Sequence, residues 1–96
     1  MLRHIVFFKF KAEAPSENRA AFVAMLRDLP AKIPFIQKPE VGEDIVHSAR
    51  SYHAALSFGF ASLDELQTYA THPDHLPVIA YGKEICQATV AVDFEL

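Results

Sequence analysis

The chain has 96 residues, room for one hydrophobic core, and at 51% hydrophobic, 22% charged and only 3 glycines it is neither a disordered tail nor a fibrous repeat. A net charge of −3 with scattered basic residues excludes a nucleic-acid surface, and no apolar run reaches the ~20 residues that span a bilayer. The single cysteine, Cys86, excludes an internal disulfide and points to a cytoplasmic setting.

Leu2 to Lys11 alternates as a strand. Leu2, His4, Val6, Phe8 and Phe10 share one face, and Arg3, Ile5, Phe7, Lys9 and Lys11 share the other. Apolar residues on both faces require cover on both, and a two-layer domain leaves one sheet face wet. This strand therefore argues for a homodimer formed through the sheet face. Arg3, His4 and Lys9 interrupt the apolar residues, so the segment does not read as a signal peptide.

Ala14-Pro15-Ser16 predicts a turn with Ser16 as the helix cap and Glu17 at the positive helix end. Phe22, Met25, Leu26 and Leu29 then recur at helical spacing, and Pro30 ends the run. A weaker strand spans Ile36 to Gly42. Pro39 inside it cannot donate to a ladder, which places the strand at a sheet edge. Glu43 to Ser51 is polar and reads as a loop.

Tyr52 to Phe60 is the next strand, with Leu56, Phe58 and Phe60 on one face. Ser62-Leu63-Asp64-Glu65 is a capping box that opens a helix from Leu63 to about Thr71. Pro73 interrupts it, and a second helical stretch runs from Pro77 to Cys86. The last strand is Gln87 to Phe94, with Val90, Val92 and Phe94 on one face. The order β-α-β-β-α-β predicts an α+β fold: a ferredoxin-like antiparallel sheet with helices on one face, one domain over residues 1–96.

No phosphate loop, paired cysteines or nucleophile elbow is present. Cys86 beside Ile85 reads as a small buried hydrophobe rather than a nucleophile. His72 and His75 flank Pro73-Asp74 at the helix break, with Tyr69 one turn earlier. Their spacing suits a metal, but no motif supplies a third ligand, so no metal is assigned. His4 sits among apolar neighbours on its strand face. It is either a core histidine satisfied by nearby groups or a polar group in the wall of an apolar pocket. With Tyr69, His75 and His72 facing it from the helix break, the second reading becomes a proton-transfer site.

Two segments carry a family resemblance. Leu2-Arg3-His4-Ile5-Val6-Phe7-Phe8-Lys9-Phe10-Lys11 resembles the opening strand of the stress-responsive dimeric α/β-barrel (Dabb) family. Tyr69-Ala70-Thr71-His72-Pro73-Asp74-His75 resembles that family's Tyr-x-x-His-Pro-x-His signature. Ile33-Pro34, Phe60-Ala61-Ser62 and Val92-Asp93-Phe94 also fit. The resemblance implies a ferredoxin-like monomer that dimerises sheet to sheet into a barrel. A plant branch of the family cyclises linear polyketides with a histidine base and an assisting tyrosine.

Carried over by residue, the resemblance implies His75 and Tyr69 as catalytic residues and His4 as a residue lining the substrate site; His72 joins His4 as a substrate-binding candidate from its place at the helix break. It implies no cofactor. The ligand would be a small apolar carbonyl compound, and the activity that of a small cyclase or lyase. The alternative is a non-catalytic, small-ligand-binding or stress-protective dimer.

Overall fold

A computed structural model describes residues 1–96. Strand β1 (Leu2–Phe10) leads to helix α1 (Ser16–Lys32), then strands β2 (Gln37–Glu43) and β3 (Ala54–Phe60). Helices α2 (Leu63–Ala70) and α3 (Leu76–Ile85) follow, and strand β4 (Cys86–Glu95) continues from α3 with no intervening loop. The sheet order is β2-β3-β1-β4, antiparallel throughout, as the ferredoxin-like pattern requires. No helix is long and apolar enough to cross a membrane.

Alternation along the strands sorts the two sheet faces. Leu2, Val6, Phe8 and Phe10 of β1 and Leu56, Phe58 and Phe60 of β3 are buried under the helices. They meet Phe22, Val23, Leu26 and Leu29 of α1 and Tyr69 of α2 in one core. Removing side chains of this size from water contributes about 1.5–3 kcal/mol each, which is what holds the helices to the sheet.

The opposite face has no helix on it. Phe7, Val90, Val92 and Phe94 are 42–49% exposed there, in an apolar stripe built from the cross-strand pairs Ile5–Val92 and Phe7–Val90.

Three local features differ from the sequence expectation. Pro15, extended at φ −62° and ψ 148°, takes the N-cap position in place of Ser16, whose side chain makes no capping bond. The Pro15 carbonyl accepts from the Asn18 and Arg19 amides instead, at 3.0 and 3.1 Å. Pro30 lies inside α1, which runs on to Lys32. So near the helix end, the missing proline N–H removes one ladder bond without breaking the turn. The third helix begins at Leu76, with Pro77 in its first turn, where a missing amide hydrogen costs nothing.

The Ser62 cap is as read. Its hydroxyl accepts from the Glu65 amide at 3.3 Å, although the Glu65 carboxylate reaches back to the Ala61 amide rather than to that of Ser62. Pro39 lies on the sheet edge, where the β2–β3 register slips between Gln37 and Glu40 and Lys38 takes a positive φ of 43°.

Candidate functional site

The break between α2 and α3 bends the chain over the sheet. Pro73 has no amide hydrogen and disfavours helical geometry at the residue before it. The segment closes with short-range bonds instead: the Tyr69 carbonyl accepts from the His72 amide at 3.1 Å, and the His72 carbonyl accepts from the His75 amide at 2.9 Å. The bend sets His75 at the start of α3, facing the β1 face that carries His4.

Between sheet and helices lies a cavity of about 270 Å³. His4, Tyr69 and His75 all line it. Its remaining wall is mostly apolar: Val6 and Phe8 from β1, Phe22 and Leu26 from α1, Val78 from α3. A few converging polar groups in an apolar cavity are the usual form of a small-molecule site.

Within it, His75 is the most constrained group. Its ring stacks on that of Tyr69, with centroids 4.1 Å apart and planes at 23°. Its Nδ1 lies 3.1 Å from the Tyr69 carbonyl oxygen. A carbonyl only accepts, so Nδ1 carries the proton and Nε2 holds the lone pair. Burial holds the imidazole below its ordinary pKa, contacts with the Tyr69 and Ala70 backbone pull it partly back, and His4 and His72 oppose a further positive charge. Near neutral pH His75 is therefore an uncharged base with one free nitrogen.

Tyr69 is 2% exposed, and burial pushes its phenol pKa well up, so it stays a proton donor. The hydroxyl bonds to no protein group, and yet no enclosed side-chain polar atom is left without a partner. The hydroxyl oxygen is therefore not fully enclosed, and it belongs to a side chain that lines the cavity. Tyr69 orients His75 through its carbonyl and its ring face, while its hydroxyl is free to meet a ligand.

His4 meets the Tyr69 ring edge-on at 6.0 Å. Its Nδ1 pairs with Asp93 Oδ1, directly across from it on β4. The carboxylate accepts, so Nδ1 of His4 is protonated as well. His72 does not line the cavity. Its Nδ1 accepts from the Asp74 amide at 3.1 Å and helps close the helix break.

Sequence reasoning passed over Asp93, which alternation alone would have placed beside His4 once β1 and β4 were paired. It also passed over Lys83 and Thr89, which line the same cavity from α3 and β4. Cys86 lies outside the lining, half-buried, and burial raises its thiol pKa.

The family model of the stress responsive A/B barrel domain matches residues 2–96. A stress-response A/B barrel domain-containing protein of Arabidopsis thaliana is 31% identical over 98% of the chain, which spans about a third (36%) of that relative's length. A crystal structure from Bacteroides fragilis, described as a dimeric protein of unknown function with a ferredoxin-like fold, is 32% identical. Its TM-score is 0.84, covering 99% of this chain and 95% of that one. The hydroxynitrile lyase of Passiflora edulis shares the fold at 19% identity, with a TM-score of 0.87 over 99% of this chain and 92% of its own.

Proposed function

Since the chain belongs to the stress-responsive A/B barrel family, we propose that it is a homodimeric, cofactor-free enzyme of the cyclase or lyase type, acting on a small apolar carbonyl compound. The carrying observation is the His75–Tyr69 arrangement. Nδ1 of a half-buried, uncharged imidazole is anchored on a carbonyl, and the same tyrosine lines an apolar cavity with its hydroxyl free of any protein partner. Nε2 of His75 removes a proton next to the substrate carbonyl. The Tyr69 hydroxyl donates to the oxygen on which negative charge develops. Little water competes in such a cavity, so both interactions are stronger than they would be in bulk solvent.

His4, held by Asp93, lines the opposite wall and sets the ligand's orientation. His72 acts from outside the lining by shaping the turn that presents His75. The second copy covers the stripe formed by Ile5, Phe7, Val90, Val92 and Phe94. The dimeric description of the Bacteroides fragilis structure supports this assembly, and the lyase from Passiflora edulis supports the reaction class. The family match is in keeping with a stress setting, and the lone cysteine with a cytoplasmic one.

The test is exchange of α-protons for deuterium in a small ketone or β-dicarbonyl, followed by NMR in heavy water. Wild-type protein should catalyse it, and His75→Ala should lose about 10²–10⁴-fold, the usual worth of a general base. The cavity's modest volume favours a second reading, a non-catalytic dimer that stores or senses the same ligand. In that case the compound raises the melting temperature of the protein without any exchange.

A further inference from the structure

We propose that the ligand of this cavity carries a carboxylate, which docks at the mouth on Lys83 and Thr89 while its carbonyl end lies at His75 and Tyr69. This rests on the reading above that the cavity is the ligand site. No aspartate or glutamate lines the cavity, and Lys83 is the only lysine or arginine that does. The Lys83 ammonium takes part in no ion pair: the acidic side chains in close contact with basic ones meet histidines, in His4–Asp93, His47–Asp44 and His72–Asp74. Thr89 stands opposite Phe8 on β4 and adds a hydroxyl to the same rim.

Lys83 and His75 are separated along α3 by the rise of the intervening helix, about 12 Å at 1.5 Å per residue. The wall between the two ends is apolar, formed by Val6, Phe8, Leu26, Leu56 and Val78. A ligand that satisfies both ends is an apolar chain with a carboxylate at one terminus and a carbonyl near the other, of about the length of octanoate. Orientation follows from desolvation. A carboxylate beside the exposed Lys83 and Thr89 keeps part of its hydration and gains an ammonium, whereas at the His75 end it would meet no lysine or arginine and lie close to Asp93, the partner of His4.

The test measures binding of octanoate and of 1-octanol by titration calorimetry at low and moderate salt. Octanoate should bind more tightly than octanol, and added salt should erode that preference. Lys83→Met should reduce octanoate affinity about three- to tenfold and leave octanol unchanged, bringing the two together. Lys83→Glu should reverse the order. His75→Ala should retain the preference for octanoate, so a protein that fails the proton-exchange assay can still pass this one.

Equal affinity of the two probes, no binding of either, or a preference that survives Lys83→Met would overturn the proposal. So would a Lys83→Met variant whose sole change is a lower melting temperature. That outcome would make Lys83 a last-turn cation complementing the dipole of α3.

Discussion

Gly82→Ala tests how rigid the cavity wall is. Gly82 is buried in α3, and a Cβ placed there would lie 3.2 Å from both Cε1 and Cζ of Phe22. Taken alone, alanine favours a helix over glycine by about 0.5–1 kcal/mol. The clash opposes this gain, and its size depends on whether Phe22 can give way. Phe22 is 1% exposed and has Phe8, Phe10 and Tyr81 around it edge-on, at 5.1, 6.1 and 6.2 Å. A ring held on three sides cannot move without shifting its neighbours, and overpacking of this kind costs about 1–3 kcal/mol.

The net expectation is a destabilisation of about 1 kcal/mol, or roughly 4–8 °C in melting temperature for a domain of this size. Urea unfolding should show a lower midpoint with an unchanged slope. Because Gly82 and Phe22 both line the cavity, ligand affinity should fall with stability. A variant as stable as the parent, or more stable, would mean that Phe22 yields freely, and the picture of a preformed cavity would fail.

Phe7→Glu places a charge in the exposed apolar stripe and should dissociate or unfold the dimer. Sedimentation at micromolar concentration checks this, and an intact dimer would move the interface elsewhere. Tyr69→Phe removes a hydroxyl that has no protein partner, so stability should change by less than about 0.5 kcal/mol while proton exchange falls. An unchanged exchange rate would remove Tyr69 from the chemistry.

Stability should also decline as pH falls below the ordinary histidine value of 6.5. Burial lowers the folded pKa of both His53 and His75, so the unfolded chain takes up protons first and acid favours unfolding. His53 in addition uses its neutral Nδ1 to accept the Phe10 amide at 2.9 Å, a bond that protonation abolishes. Urea titrations above and below that pH should reveal the slope, and His53→Gln should flatten it. His75 carries the remaining slope, and a slope undiminished in His53→Gln would remove His53 from the acid dependence. Catalysed exchange should follow the same acid side through His75, being full at neutral pH and falling below it.

Alternation and punctuation made most of this fold legible. The two faces of Leu2–Phe10 announced a sheet covered on one side and apolar on the other. Pro39 announced an edge, and Pro73 a break that carries His75 to the wall opposite His4. Features that depend on which strands become neighbours were not legible. Asp93 pairs with His4 across a separation of 89 residues, and only the β1–β4 register brings them together. Lys83 and Thr89 read as ordinary surface residues until α3 and β4 are set on either side of the cavity. Ser16 misled because a serine before a helical run is normally its cap. Here the preceding proline is already extended, and its carbonyl serves the first amides.

The distortion in β2 bears on how such a protein escapes aggregation. Proteins rich in sheet risk open-ended growth when both outer strands can accept a neighbour. In this chain one border is spoiled: Pro39 offers no amide, Lys38 turns its backbone to a positive φ of 43°, and the register slips beside them. The other border, β4, is long, with valines at alternate positions, and its one register slip lies near its start, where Lys9 pairs with Ala88 and Phe10 with Cys86. A particle with only one receptive border can be joined once and then has nothing left to extend. Strand-to-strand contact between copies therefore terminates at a pair, even at the high concentrations of a crowded or stressed cell.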